Sequence, residues 1–163
     1  FELKNINAKE SIEYLKSFNL DIIFSIAASQ IFKENILALP KIGSFNIHTS
    51  KLPKNRGMMP NFWSLFNYEK DPISAVTIHK MNKDLDDGDI LIQKYFDLDP
   101  KETLDSLIKR TKKLSVEAFL EAIKMLSGKN INLLINDSKL ATYNTFPTKE
   151  DVKKFKAKGF KLR

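Results

Sequence analysis

The chain has 163 residues, 42% of them hydrophobic and 29% charged, with no cysteine and a formal net charge of +7. That balance suits one globular unit with a buried core and excludes a disordered tail, a disulfide scaffold, a zinc–thiolate site and a cysteine nucleophile. Residues 149–163 carry seven basic groups against two acidic ones, which leaves residues 1–148 at +2: a basic tail on a near-neutral body, weak grounds for a polyanion partner.

The first residues, Phe1-Glu2-Leu3-Lys4, have neither the basic start nor the apolar stretch of a signal peptide. The longest apolar run, Ile22–Ala28, is interrupted by Ser25 and falls far short of the roughly 18 residues of a membrane helix. Residues 8–18 place Ile12, Leu15 and Phe18 on one helical stripe, and Asp21–Ala27 reads as a strand covered on both faces. A helix is expected over Gln30–Leu39, ended by Pro40 and Gly43, then a strand over Ser44–His48 and a Pro/Gly loop over Lys51–Pro60. Asn61–Asn67 reads as a short helix, Ile73–Lys80 and Ile90–Phe96 as strands, and Asp84–Asp89 as a tight acidic loop between them. Thr103–Ser127 is the clearest helix: Leu104, Leu107, Ile108, Thr111, Ser115, Ala118, Phe119, Ala122, Ile123 and Leu126 form its inward stripe, and Gly128 stops it. Thr148-Lys149-Glu150-Asp151 is a capping box that opens a short basic helix, on which Val152 and Phe155 face the body. Alternating helices and strands at this spacing imply an α/β sheet with helices on its faces.

Two places carry residues suited to chemistry. In Phe45-Asn46-Ile47-His48 the strand alternation points Asn46 and His48 to one face, where the strand runs into a loop. The carboxyl edge of an open α/β sheet is where ligands bind; an imidazole there can carry a proton and a carboxamide can donate to a developing oxyanion. Taken alone, such a pair is more often a structural hydrogen-bonding pair. The loop Asp84-Leu85-Asp86-Asp87-Gly88-Asp89 brings four carboxylates together. It fails as a calcium loop, because Gly88 at the sixth position puts Lys83 at the first and Lys94 at the twelfth. Leu85 among the acids predicts that the loop folds back on the core and carries one carboxylate to the Asn46–His48 edge, the others being solvated. No two of the five glycines form a phosphate-binding loop, no Gly-x-Ser-x-Gly is present, and His48 and His79 lack metal-ligand spacing, so no metal site is expected.

Asn46-Ile47-His48-Thr49-Ser50-Lys51-Leu52-Pro53, followed by Arg56-Gly57 and then Leu85-Asp86-Asp87-Gly88-Asp89-Ile90-Leu91, resembles the 10-formyltetrahydrofolate-dependent formyltransferases. Each piece is weak alone; their order and spacing, over residues 21–128, are specific. The resemblance implies a Rossmann-like α/β fold with a mostly parallel sheet and helices on both faces, entered after the family's N-terminal βαβ half. It makes residues 1–128 the C-terminal part of a catalytic domain and 129–163 an extension with a short basic helix. It also implies catalytic roles for Asn46, His48 and Asp86, and a folate pocket lined by Ser29, Gln30, Ile31 and Phe32 and closed by Asp84, Leu85 and Asp87. Asp87 stands where threonine is usual; its charge is expected to raise the Asp86 carboxyl and leaves open which aspartate is functional.

The implied reaction moves a formyl group from 10-formyltetrahydrofolate to an amine, with Asn46 and protonated His48 stabilising the oxyanion while Asp86 orients His48 and helps deprotonate the amine. The 35 residues after Gly128 are too few for the barrel of methionyl-tRNA enzymes. A small-molecule acceptor is therefore expected, in a cytoplasmic setting with no membrane or nucleic-acid partner and with a homo-oligomer left open. Arg56–Trp63 looks more like the aminosugar-nucleotide enzymes; Phe62 and Trp63 read as core, with stacking on a base the alternative. The competing readings are a methionyl-tRNA or glycinamide ribonucleotide formyltransferase, a formyltetrahydrofolate hydrolase, and a polyanion-binding module acting through Lys149–Arg163.

Overall fold

The computed structural model describes residues 2–128 and 131–163; Lys129, the expected start of the extension, lies outside them. The elements in chain order are α1 (Lys9–Lys16), β1 (Ile22–Ile26), α2 (Glu34–Leu37), β2 (Gly43–His48), β3 (Arg56–Gly57), α3 (Pro60–Phe66), β4 (Ile73–Lys80), β5 (Ile90–Asp97), α4 (Leu104–Leu126), a 3-10 turn (Ser138–Leu140), β6 (Tyr143–Asn144) and α5 (Lys149–Ala157). Thr103 and Thr148 each close a capping box, with Ser106 and Asp151, so both boundaries follow from local hydrogen bonding.

The helix expected over residues 30–39 shrinks to four residues. Residues 30–33 are drawn instead to the N-terminal segment: Gln30 Oε1 accepts from Ile6 N at 2.8 Å, and Lys33 N donates to Asn7 Oδ1 at 2.9 Å. These bonds hold that stretch extended.

The main sheet runs β1-β2-β4-β5. Only β1 and β2 are parallel; β2–β4 and β4–β5 are antiparallel, which corrects the mostly parallel sheet expected from the sequence. The short loop between Lys80 and Ile90 accounts for the β4–β5 reversal, since adjacent strands joined so closely must reverse direction; β2 and β4 run antiparallel across the longer connection that carries α3. One face of the sheet is apolar: Phe45, Ile47, Val76, Ile78, Leu91 and Ile92 pack against Ala118, Ala122 and Leu126 of α4. Strand alternation then forces the partners of those residues to the other face. Asn46 lies opposite His79, His48 opposite Thr77, and Thr77 opposite Gln93, which donates to Thr77 Oγ1 at 2.9 Å. On that face Ser44 Oγ bonds to the Leu37 carbonyl of α2.

The residues after 130 are built into this body. Leu134 and Ile90 exchange two backbone hydrogen bonds of 2.8 Å, and β6 pairs in parallel with β3. Phe155 of α5 is fully buried and stacks on Phe62 of α3 with ring centroids 4.6 Å apart, inside a second core with Leu65, Leu104, Leu107 and Phe160.

Candidate active site

The polar face of the sheet and the loop between β4 and β5 meet at Asp86, which is 8% exposed. The loop turns at this residue with φ 53°, a left-handed conformation that aspartate tolerates better than most non-glycine residues. Asp86 Oδ2 accepts from Gly57 N–H at 2.8 Å and lies 3.6 Å from His48 Nδ1. Asp86 Oδ1 accepts from Asn46 Nδ2 at 3.3 Å and lies 3.4 Å from His79 Nε2. Asn46 Nδ2 is in turn 3.2 Å from His79 Nε2. Four side chains from three separate stretches of chain thus enclose one point.

The other ring nitrogens fix the tautomers. His48 Nε2–H donates to the Asn55 carbonyl at 2.8 Å, so its Nδ1 is the nitrogen turned toward Asp86. His79 Nδ1–H donates to the Lys80 carbonyl at 3.0 Å, leaving Nε2 to accept from Asn46.

Burial lowers the His48 imidazole below its ordinary value; the Asp86 charge and the Asn55 carbonyl oppose that without overcoming it. The resting ring is therefore neutral at pH 7, a correction to the protonated His48 expected from the sequence, and desolvation is the reason. For Asp86, burial acts to raise the carboxyl, but the His79 ring, the His48 charge and the Gly57 amide outweigh it and hold it down at about 2. The expectation that Asp87 would raise Asp86 is corrected by the same environment, because the Asp87 charge is spent elsewhere. It pairs with the fully buried Arg56, accepts from Ser138 Oγ, and takes Asn82 Nδ2 at 3.3 Å.

The low Asp86 value has a consequence for folding. A carboxyl held at about 2 when folded, against its usual 3.8, contributes about 2 kcal/mol of stability that is present above pH 4 and lost as the pH falls through 2. His48, kept neutral by burial, adds a loss that begins on acidification below its usual 6.5. Asp86→Asn should flatten the lower part of this acid transition, between pH 4 and 2, in a denaturant-melt series; an unchanged slope there would refute the coupling.

The remaining residues singled out from the sequence fall as follows. Ser29 and Ile31 are exposed and Phe32 half-buried on the segment leaving β1, at the same sheet edge as Asn46 and His48. Gln30 is committed to the N-terminal segment. Asp84 is exposed; Leu85, expected to fold onto the core, is 52% exposed, and it is Asp86 that turns inward, because four donors and rings receive its carboxylate. Phe62 lies in the second core and Trp63 Nε1 donates to the Thr145 carbonyl at 3.0 Å, so the core reading holds for both. His79 was not recognised as part of the site. The signal was present in the alternation of Ile73–Lys80, which puts Thr77 and His79 on one face, but its partner strand could not be read. Among the described residues no group of three His, Cys, Asp or Glu is arranged to hold a metal ion, and no helix is long and apolar enough to cross a membrane.

The "Formyl transferase" family model matches residues 1–123. Methionyl-tRNA formyltransferase of Thermotoga maritima is 42% identical over 149 residues, covering 91% of this chain and 47% of the relative. The bifunctional polymyxin resistance protein ArnA of Wigglesworthia glossinidia brevipalpis is 42% identical over 132 residues, covering 81% of this chain and 20% of the relative. Among solved structures, a sugar N-formyltransferase from a Shewanella species superposes with a TM-score of 0.75 at 22% identity, covering 93% of this chain and 64% of the other. The formyltransferase PseJ of Anoxybacillus kamchatkensis, solved with a formamido sugar nucleotide and tetrahydrofolate, gives 0.70 at 25% identity, covering 90% and 85%. The chain therefore spans about half the length of the curated methionyl-tRNA relatives that it matches, and it belongs to the formyl transferase family.

Proposed function

We propose that this chain forms part of an enzyme that moves a formyl group from 10-formyltetrahydrofolate to the amine of a small molecule, an aminosugar nucleotide, with Asn46, His48 and Asp86 as its catalytic residues. The observation that carries this reading is the convergence of an imidazole, a carboxamide and a carboxylate at the exit edge of β2, with Asp86 forty positions from Asn46 in the chain. A folate pocket fits the same edge. The exposed Ile31 and Leu85 lie on the segments leaving the two strands that flank β2, and both offer apolar surface to a flat ring. Ser29, Ile31, Phe32, Asp84 and Leu85 would line it; Gln30 and Asp87 serve through the contacts already described.

When bound, 10-formyltetrahydrofolate supplies a one-carbon group already activated toward amines. Neutral His48 presents Nδ1 as a proton acceptor for the attacking amine, and Asp86, ionised at neutral pH, stabilises the imidazolium that results; the ring then returns that proton to the departing donor nitrogen as its bond to the formyl carbon breaks. Asn46 turns the amide hydrogen that Asp86 Oδ1 holds in the resting state to where negative charge develops on the formyl oxygen. His79 receives the other hydrogen of that amide in the resting state and so sets the carboxamide's orientation.

The relatives divide over the acceptor. The 42% identity to a methionyl-tRNA formyltransferase supports tRNA as the second reading, while the 25% identical PseJ, solved with a formamido sugar nucleotide, supports the first. Incubating the complete protein with 10-formyltetrahydrofolate decides between them. Formylated UDP- or dTDP-aminosugar is the expected product; formyl-methionyl-tRNA alone would overturn the acceptor, and formate released without any amine would overturn transfer itself.

A further inference from the structure

The strand-and-turn segment 134–145 grips both halves of the site from outside. Asn136, 4% exposed, donates through Nδ2 to the carbonyls of Asp86 at 2.9 Å and Gly88 at 3.0 Å, the two peptides that shape the left-handed turn. Its Oδ1 accepts from Arg56 at 2.9 Å, and Arg56 holds Asp87 on the same loop. Further along, Thr142 Oγ1 accepts from Asn55 N at 2.9 Å and Asn144 Nδ2 donates to Asn55 Oδ1 at 3.1 Å. Asn55 is the residue whose carbonyl fixes His48. The carbonyls of Thr142 and Asn144 also receive the N–H groups of Arg56 and Met58, each at 2.9 Å, and so hold the Gly57 peptide that donates to Asp86. A side chain at Gly57 would meet the Asn144 carbonyl at 2.2 Å, so the approach leaves no slack.

We propose that segment 134–145 is a strap that sets the separation of His48 and Asp86, with Asn136 the positioning residue for the aspartate and Thr142 the positioning residue for the histidine. The proposal rests on the catalytic reading above. Two properties favour positioning over general stabilisation. The strap's contacts end on the immediate partners of the two groups, and the Asp86 and Gly88 carbonyls are both capped by the strap's one buried amide. Two backbone carbonyls capped by one buried amide are a fixed fulcrum, because losing the donor leaves both acceptors unsatisfied away from water.

Asn136→Asp in the complete protein isolates the effect. It keeps an acceptor for Arg56 and removes both hydrogens given to the loop. We expect kcat to fall about 30-fold, the loss expected of two such bonds, with KM for donor and acceptor within about threefold. The Asp86 carboxyl, followed by NMR titration, should rise from about 2 toward the usual carboxylate range. Because the carboxylate introduced by Asn136→Asp would raise Asp86 by its charge alone, Asn136→Leu, which removes the same donor without adding charge, is titrated beside it and should show the same rise. A variant that merely folded less well would lower the active fraction without moving that titration. If Asn136→Asp does not fold, Thr142→Val at the exposed end of the strap serves. Loosening the Asn55 carbonyl removes a contact that raises His48, so the His48 titration should move to lower pH and kcat should fall about threefold. Titrations of Asp86 and His48 unchanged in folded variants would overturn the strap. His48→Ala run in parallel separates the two claims: full activity in that variant would sink the catalytic reading, while a dead His48→Ala beside an unaffected Asn136→Asp would sink the strap alone.

Discussion

His48→Ala in the complete protein is expected to lower formyl transfer about 10³-fold while tetrahydrofolate binding stays within a few-fold of its original strength. The size follows from what the ring does. Its Nε2–H is fixed on the Asn55 carbonyl at 2.8 Å, so Nδ1 alone is free to take a proton, and it does so 3.6 Å from a carboxylate that is ionised across the working pH range. Neither Asn46 nor Asp86 can replace it: a carboxamide accepts no proton near neutrality, and a carboxyl held at about 2 is too weak a base. His48→Gln should remain nearly as impaired, since it restores shape and hydrogen bonding without basicity. Steady-state kinetics with an equilibrium folate-binding measurement checks both points, and turnover within tenfold of the parent would remove His48 from the mechanism.

The largest effect on stability is expected at Arg56. Its guanidinium is fully buried and donates to Asp87, to Tyr143 Oη at 2.8 Å, and to the Asn136 carbonyl and Oδ1 at 3.2 and 2.9 Å, and it lies over the Tyr143 ring at 5.5 Å. Removing one member of a buried ion pair costs about 3–5 kcal/mol, because the partner groups are left without compensation. For a chain of this length, about 3 °C of melting temperature accompanies each kcal/mol, so Arg56→Ala should melt about 10 °C lower. Arg56→Lys should recover only part of that, as one ammonium cannot span acceptors on two sides. Asp87→Asn should cost less than Arg56→Ala, for Asp87 keeps 23% of its side chain in solvent. Calorimetry on the three variants orders them; a loss below 2 °C for Arg56→Ala would mean that the network is ornamental to folding.

Asn46 and His48 were legible because a strand's alternation is a local property, written in four consecutive residues. The long helix and the cap of α5 were legible for the same reason, their periodicity and capping box being contained in the segment. Asp86 was not readable from spacing. Four adjacent carboxylates look alike in sequence, and resemblance to a family singled one out; what distinguishes it physically is the Gly57 amide and two histidines brought in by the fold. Arg56 was legible only as a motif position, His79 only as a histidine without metal-ligand spacing, and Asn136 not at all, because their meaning lies in partners 7 to 80 positions away. The mostly parallel sheet failed as an expectation for β4–β5 because a short connection forces reversal, and for β2–β4 because strand direction across a long connection is not written in the local pattern.

The stacking of Phe155 on Phe62, together with the hold of Asn136 on the aspartate turn, bears on biosynthesis. A nascent chain that has emerged only through α4 already contains Asn46, His48, His79 and Asp86, yet it lacks the lid over its second core and the brace for its turn. Translation must run on past residue 155 before the pieces lock, and a protease cut between residues 128 and 134 would break the covalent link between the proposed catalytic pair and its support without touching either.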